Sequence, residues 1–428
     1  MSDSDKNNSE KLKDKAPAEE IRDIILEEEL TLAQQARTKA SYSFFASLMA
    51  ILTGLLVGVI VLFIADSSRA VQGLVTILRG GFTGSATQFG QVIATAIPII
   101  MTGLSVAFAY RTGLFNIGAS GQFMVGSVCA VIVAIKGTMI PASILWLVCM
   151  LAAIVGGAIW GAVPGILKAY FKVNEVITSI MMNYIGMYLV KIIIEQTIYD
   201  SRYARAQNVP VRAEIPTLGL DTAFPGTNLN ISLLLCIIFC VIIFIISART
   251  VFGYELTAVG LNPDASRYAG INSKRTMITA MVVAGALSGI GGFMMYLGGT
   301  GMYMETNEII ALQGFNGIPV ALLAMNHPIG VFFSGLFIGH ITIGGENLQL
   351  HGYSKEIIDM IIAVIIYCAA FSLIFKQLLH RIIRGVKKGI GLKNAGPKDS
   401  GPGGSGPRGP GPQGPGRYAR PEEREVSS

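Results

Sequence analysis

The chain alternates long apolar runs with short polar segments, and ten of the runs have about the length of a membrane span. About 20 apolar residues in an α-helix cross the hydrocarbon core of a bilayer. The pattern therefore predicts an all-α fold, a polytopic membrane protein with about ten transmembrane helices. The predicted spans are residues 43–64, 90–110, 114–135, 141–166, 175–196, 229–248, 276–298, 309–325, 327–346 and 356–375.

The eighth and ninth runs differ from the others because both are short and interrupted by glycine. Only Asn326, His327 and Pro328 stand between them. Proline breaks a helix unless it lies in the first turn, so a helix is expected to restart at this point. The pair predicts either two short spans or one broken hairpin.

Composition supports the membrane class. Charged residues make up 14% of the 428 residues and apolar residues 52%, whereas soluble domains carry about 25% charged residues. The net charge of +6 comes from basic residues beside the spans, so it does not indicate a nucleic-acid partner. The five cysteines lie inside apolar runs without metal-site spacing, and we expect neither disulfide bonds nor a bound metal.

The basic residues between the spans predict the orientation. With the N-terminus inside, the inner segments hold about twice as many Lys and Arg residues as the outer ones, which is typical of cytoplasmic loops. Both termini are therefore predicted to be cytoplasmic. Residues 1–40 then form a polar cytoplasmic extension, 41–390 the membrane domain and 391–428 a disordered Gly/Pro-rich tail. Residues 376–392 are predicted to form a basic helix along an anionic leaflet.

The stretch between the second and third spans is unusual at membrane depth. Residues 111–126 contain four glycines together with Asn116 and Gln122, where a spanning helix is normally rich in leucine. Irregular or polar backbone at this depth is tolerated only against protein or a water-filled cavity. The stretch therefore predicts the wall of a polar path. Residues 314–318 weakly repeat residues 113–118, as in transporters built from two related halves.

The middle parts of the predicted spans contain no Asp, Glu, Lys or Arg, and His340 is the one titratable side chain well inside a run. We interpret His340 as a packed, hydrogen-bonded residue rather than a proton carrier. Ion-coupled transporters generally need an ionisable group at depth. The lack of such a group in the spans weakens the case for ion coupling. It does not exclude ion coupling, because backbone carbonyls alone can hold Na⁺.

The polar side chains that remain in the spans are neutral hydrogen-bonding groups. They suit an uncharged polar solute, and the alternative is that each of them holds one helix to another. The predicted path residues also include the phenylalanine that precedes each of two asparagines. The full set is Phe115, Asn116, Gln122, Ser179, Asn183, Tyr184, Phe315 and Asn316.

Energy for transport has to come from another chain if no ion gradient is used. The sequence lacks the Gly-x-x-x-x-Gly-Lys-Ser/Thr run that cradles nucleotide phosphates, so we expect no cofactor on this chain. The inner loop 249–275 is a candidate platform for an ATPase, and the alternative is an ordinary connection. Asn262, Pro263 and Asp264 predict the start of a short helix that Gly270 ends.

Four segments, in this order, give the chain a family resemblance: Leu78–Ser85, Gly113–Gln122, Asn174–Ile185 and Val259–Ile271. With them the chain resembles permease subunits of ATP-binding-cassette importers, in the group of the branched-chain amino acid and ribose permeases. The first and third segments favour the bacterial nucleoside permeases of that group. One departure is Ser120, where many relatives have an acidic residue.

The resemblance implies a transport subunit of the bacterial cell membrane that is not itself an enzyme. It implies a second related permease, cassette ATPases that use ATP inside, a lipid-anchored solute-binding protein outside, and a nucleoside as the solute. A sugar or branched-chain amino acid, or a transporter working alone, are the alternatives. By the same resemblance, the helix that couples to the ATPase includes Glu255, Asn262, Pro263, Asp264, Ala265, Arg267 and Tyr268.

Overall fold

The computed structural model describes residues 45–82 and 86–371, together with residues 374, 377 and 381. This part of the chain is mainly helical. Its strands are the two-residue antiparallel pair β1 (Tyr199–Asp200) and β2 (Arg205–Ala206) in an outer loop. The predictions for residues 1–40 and 391–428, and nearly all of that for 376–392, lie outside the described residues.

Each predicted span coincides with one helix. Eight of these helices have the length and apolar composition of a membrane span, while α12 and the described part of α14 are shorter. The prediction of an all-α polytopic protein is therefore confirmed. The ten helices are α1 (Phe45–Ala65), α3 (Ala86–Tyr110), α4 (Ala119–Lys136), α5 (Ala142–Phe171), α6 (Glu175–Thr197), α8 (Ser232–Arg249), α11 (Ser273–Tyr296), α12 (Leu312–Leu323), α13 (Pro328–Glu346) and α14 (Lys355–Ala370).

Four further α-helices lie between the spans: α2 (Ala70–Arg79), α7 (Leu220–Ala223), α9 (Val251–Leu261) and α10 (Pro263–Tyr268). Short 3-10 turns occur at Val211–Ala213 and Asn347–His351. The sequence predicted neither α2 nor α9, since both are too short for a span. It also began the third span too early: α4 starts at Ala119, because Gly113 has a positive φ of 72° and residues 114–118 are irregular.

Helix α3 is the centre of the bundle. It packs against α8, α11, α12 and α13. Of the 18 consecutive residues that form its most apolar segment, 89% are buried. A helix that is apolar all round is normally surrounded by protein. By contrast, only 22–28% of the residues in the corresponding segments of α1, α5 and α8 are buried. Their exposed Leu, Ile and Val side chains form the apolar outer surface that a bilayer covers.

Glycine allows α5 and α11 to touch backbone to backbone. Gly157 and Gly161 on α5 face Gly285 and Gly289 on α11, and both pairs have the small-xxx-small spacing of close membrane helix contacts. A Cβ atom on Gly157 would overlap the carbonyl oxygen of Gly285, and one on Gly285 would overlap that of Gly157. This contact therefore admits no side chain.

Helices α12 and α13 form one hairpin, as one of the two alternatives predicted. Met325 and Asn326 make the turn with φ of 50° and 59°. His327 then caps α13, its ring nitrogen accepting a hydrogen bond from the Gly330 amide at 3.4 Å, and Pro328 takes the first helical position where its missing amide costs nothing.

His340 packs as predicted. Its Nε2 lies 3.1 Å from the carbonyl oxygen of Leu78, and its Nδ1 accepts a hydrogen bond from the Gly81 amide at 3.4 Å. An imidazole with its proton on Nε2 can donate to the carbonyl and accept from the amide at once. His340 therefore fixes the end of α2 against α13. Gly80 stands so close to the ring that a Cβ atom there would overlap it.

Candidate substrate path and coupling surface

The predicted path residues Asn116 and Gln122 pair with each other at the start of α4. Asn116 donates to the Gln122 side-chain oxygen at 2.8 Å, and Gln122 donates back at 3.0 Å. Asn116 also donates to the Ser105 hydroxyl at 3.0 Å. Both amides are buried, at 0% and 1% exposure, so the pairing satisfies polar groups that water does not reach.

Helix α6 brings Asn183 and Ser179 to the same junction. Asn183 accepts a hydrogen bond from the Gly121 amide at 2.8 Å and donates to the Ile117 carbonyl at 3.0 Å. Ser179 is fully buried beside Gly118, and its hydroxyl has no partner among the described atoms. The junction and the α6 segment thus meet. The hydrogen bonds of the three amides Asn116, Gln122 and Asn183 favour the helix-to-helix interpretation, and a role in the path stays a prediction.

The other predicted path residues are spread over different surroundings. Tyr184 is 49% exposed on the outer surface of α6, and Phe115 and Phe315 are half-buried. Only Asn316 of the predicted set lines a cavity that is described below.

A cavity of about 900 Å³ opens among α3, α11, α12, α13, α14 and the loop before α8. Its volume is in the usual range for small-molecule sites. Neutral polar side chains line much of it. Three exposed charged residues, Glu346, Lys355 and Asp359, also line it, at helix ends that lie outside the cell in the predicted orientation. The neutral polar lining comprises Gln91, Thr95, Thr227, Asn228, Gln313, Asn316 and Thr342.

Sequence reasoning missed most of this lining. Gln91 and Thr95 are one turn apart on α3, and Gln313 and Asn316 are three residues apart on α12. Residues at these spacings share a helix face. The signal was available as polar pairs inside apolar runs, but only the fold shows that the two faces meet at one cavity.

The start of α12 separates this cavity from the paired amides. The cavity reaches Ile99 on α3, and Ser105 lies six residues further along, about 9 Å at 1.5 Å per residue. Between them, a Cβ atom on Gly317 would come within 2.6 Å of the Thr102 carbonyl carbon. Gly314 packs equally tightly on Ser120, two residues after the first of the two weakly repeated segments.

The predicted coupling segment is an exposed helical elbow. The Asn262 side chain caps α10 by accepting from the Asp264 and Ala265 amides, both at 3.0 Å, which confirms the predicted helix start. Residues 261–265 and 267–270 are exposed, with Tyr268 at 95%. Glu255 is half-buried on α9. The elbow thus offers a surface for another protein.

Helix α9 also touches the loop that leads to the paired amides. A Cβ atom on Gly260 would overlap the Arg111 carbonyl oxygen, and one on Gly113 would lie 3.3 Å from the Gly260 oxygen. Burial lowers the pKa of Arg111 from its usual value. The pKa of His327 is also lowered, mainly by burial and further by the charge of Arg111. A neutral imidazole is the form that accepts the α13 cap hydrogen bond.

The bundle, its cavity and its exposed elbow fit one class of protein, transmembrane permeases. The family described as "Branched-chain amino acid transport system / permease component" matches residues 88–370. That match covers most of the membrane bundle, and the chain belongs to this family. It is a multi-pass protein of the cell membrane.

Individual relatives define the class more narrowly. The chain is 35% identical over 339 residues to the nucleoside ABC transporter permease protein NupB of Lactococcus lactis subsp. cremoris, covering 78% of this chain and 92% of NupB. It is 36% identical over 328 residues to the guanosine ABC transporter permease protein NupP of Bacillus subtilis, covering 76% and 92%. A second lactococcal permease for nucleosides, NupC, is 25% identical over 274 residues, covering 60% and 82%. The relatives therefore include two permeases from one organism.

Proposed function

We propose that this chain is one of two permease subunits of an ATP-driven importer for nucleosides. The names of its relatives support both the ABC machinery and the solute. Substrate would cross between the subunits by alternating access, in which packed helices tilt between two arrangements.

The observation that carries the solute class is the neutral polar lining of the 900 Å³ cavity. Hydroxyl and amide groups satisfy an uncharged polar solute, whereas an amino acid has two charges that would need partners. The charged side chains that line it are exposed at the helix ends. A nucleoside is favoured over a free sugar because two relatives that match over most of this chain carry nucleosides by name.

The exposed elbow of α9 and α10 supports an ATPase as the inner partner. On this proposal ATP is bound and hydrolysed by that partner, and this chain holds no cofactor. Movement of the elbow would reach the junction before α4 through the backbone contact of Gly260 with Arg111 and Gly113.

A second permease and a solute-binding protein complete the proposed assembly. The exposed face of α6 supports a protein neighbour, because it combines tyrosine and methionine with apolar residues, as protein interfaces do. The solute-binding protein, lipid-anchored on the outer surface, would deliver the nucleoside to the cavity mouth. The α6 face consists of Ile177, Met181, Tyr184, Ile185, Tyr188 and Ile192.

The test is uptake of labelled nucleosides by cells with and without this chain. We expect uptake to depend on the chain and on the ATP-hydrolysing residues of its ATPase, and to be reduced by unlabelled nucleosides but not by ribose or leucine. Uptake blocked by ribose instead would favour a sugar importer. Nucleoside uptake by the purified chain in liposomes without ATP would contradict the ATP-driven mechanism.

A further inference from the structure

A second cavity of about 440 Å³ adjoins the larger one. The two share four lining residues, Met295, Met302, Leu312 and Gln313. They therefore lie side by side with a common wall, and a solute with two chemically different halves could occupy both.

The smaller cavity has the chemistry of an aromatic site. Its lining includes five methionines and two tyrosines, Met124, Met187, Met295, Met302, Met304, Tyr296 and Tyr303. Methionine is polarisable, contacts aromatic rings favourably through sulfur and adapts to ligands of different shape. Tyrosine offers an aromatic face. Such a lining accepts flat heterocycles of more than one size.

The two charged side chains in the lining of the smaller cavity, Lys191 and Glu305, each have a partner. Lys191 forms an ion pair with Glu308 at 2.6 Å, and Glu305 accepts a hydrogen bond from Asn307 at 2.6 Å. The Arg205 guanidinium lies over the Tyr303 ring, 3.4 Å from its centroid, which holds that ring in place. Because Lys191, the one cationic residue in the lining, is engaged, the cavity suits a neutral base better than a phosphate.

We propose that the smaller cavity receives the nucleobase and the larger one the ribose, with Gln313 reading the hydrogen-bonding edge of the base. This assignment rests on the proposed nucleoside transport. The Gln313 carbonyl accepts from the Thr102 hydroxyl at 2.8 Å, which anchors the start of α12. Its side chain makes no hydrogen bond within the described residues. A carboxamide carries a donor and an acceptor side by side, the pattern that base edges complement.

Asn316 is placed to contact the ribose, as Gln313 is placed to contact the base. It lies three residues after Gln313 on α12 but lines only the larger cavity, together with Gln91 and Thr95. These groups can exchange hydrogen bonds with the hydroxyls of a ribose. Gln313 and Asn316 therefore divide the nucleoside between them.

The experiment compares uptake of three nucleosides by cells that express the complete importer. Guanosine has polar groups on its base edge, purine riboside lacks the exocyclic ones, and 2′-deoxyguanosine lacks one ribose hydroxyl. The variants are Gln313→Met and Asn316→Leu, both close in volume to the native residue. Gln72→Met on the exposed surface of α2 is the matched control, and uptake is normalised to the amount of importer in the membrane.

Gln313→Met should lower guanosine uptake about tenfold relative to purine riboside, since a base hydrogen bond is lost. It should leave the ratio of guanosine to 2′-deoxyguanosine unchanged. Asn316→Leu should instead change the ratio of guanosine to 2′-deoxyguanosine and leave the ratio of guanosine to purine riboside unchanged. Gln72→Met should change neither ratio. If Gln313→Met does not assemble, Gln313→Leu gives the same comparison.

The assignment would be overturned if neither variant changed its ratio. It would also be overturned if Asn316→Leu changed the ratio of guanosine to purine riboside while Gln313→Met changed the ratio of guanosine to 2′-deoxyguanosine. Failure of the wild-type importer to take up any of the three nucleosides would instead refute the proposed function. The two failures are therefore distinguishable in one experiment.

Discussion

At the scale of single residues, the main feature is that the buried amide side chains beside the start of α4 are hydrogen-bonded to one another or to backbone. Asn116, Gln122 and Asn183 are almost fully buried, and each makes hydrogen bonds to side chains, to the first turn of α4 or to the irregular backbone before it. An unpaired buried amide costs about 1–3 kcal/mol, so the members of such a cluster depend on one another. The cluster holds α3, α4 and α6 together at the point where the chain is not helical.

We predict that Asn116→Leu lowers the melting temperature of the detergent-solubilised protein by several degrees, because Gln122 loses its partner. Adding Gln122→Leu should restore part of the loss, since two apolar side chains leave no buried amide unpaired. Circular-dichroism melts of the two single variants and the double variant measure this coupling. Effects that simply add would contradict the pairing.

The same Asn116→Leu variant also addresses the path. If Asn116 contacts the solute, transport should fall more than the amount of protein in the membrane. Equal losses of transport and of protein would show that it only holds helices together. Uptake and immunoblotting of the same cells separate the two outcomes.

At the scale of helices, glycine decides which elements approach each other. The α5–α11 contact has no room for a Cβ atom at Gly157 or Gly285. Without a hydrophobic driving force between helices in lipid, close backbone packing is a main source of helix association. This contact therefore fixes the position of α11, whose outer end lines both cavities.

We predict that Gly157→Leu reduces the amount of folded protein at least severalfold, because the leucine side chain would have to occupy the position of the α11 backbone. Val155→Leu, on the exposed surface of the same helix at 54% exposure, is the control and should have little effect. Fluorescence-detected size-exclusion chromatography of both variants measures it. Wild-type amounts of Gly157→Leu would contradict the packing.

The elbow of α9 and α10 is the element that should bind the ATPase. Asp264→Lys or Ala265→Trp should abolish transport, because a reversed charge or a bulky ring on an exposed docking surface disrupts a fitted partner. Asp264→Glu and Ala265→Ser keep the charge and the small size, and should retain transport. Membrane fractionation checks insertion. Normal transport by both disruptive variants would contradict the coupling role.

At the scale of the whole molecule, one chain presents two kinds of surface. The helices α1, α5 and α8 expose mainly aliphatic side chains, and the exposed Tyr170 and Phe171 of α5 stand at its end, whereas α6 exposes Tyr184 and Tyr188 in the middle of its length. Aliphatic side chains suit lipid, whereas tyrosines at the middle of a span favour a protein partner, because lipid-facing tyrosines concentrate at the membrane interfaces. The larger cavity is lined within this single subunit.

Gentle detergent purification of this chain from its native membrane should therefore recover a second, related permease and a cassette ATPase. Mass spectrometry of the eluate identifies them, and a known membrane assembly from the same extract controls for dissociation. A chain that is reproducibly recovered alone, while the control assembly stays intact, would contradict the proposed energy source.

The sequence by itself determined the class of structure. Runs of about 20 apolar residues dictate spanning helices because lipid cannot satisfy a free backbone. The α10 start at Asn262 was predicted because helix capping depends on local backbone chemistry, and the hairpin at Asn326 was one of two alternatives that the local sequence left open. Four short motifs were enough to indicate the family.

Only the tertiary structure decided which polar residues face a cavity and which face each other. Asn116 and Asn316 stand in similar local sequences, yet the first is paired with Gln122 and the second lines the larger cavity. The adjoining methionine-rich cavity draws on α4, α6, α11 and the segment before α12, which are far apart in the chain. Such a site depends on how helices pack, and that information is distributed over contacts between distant residues instead of residing in any one motif.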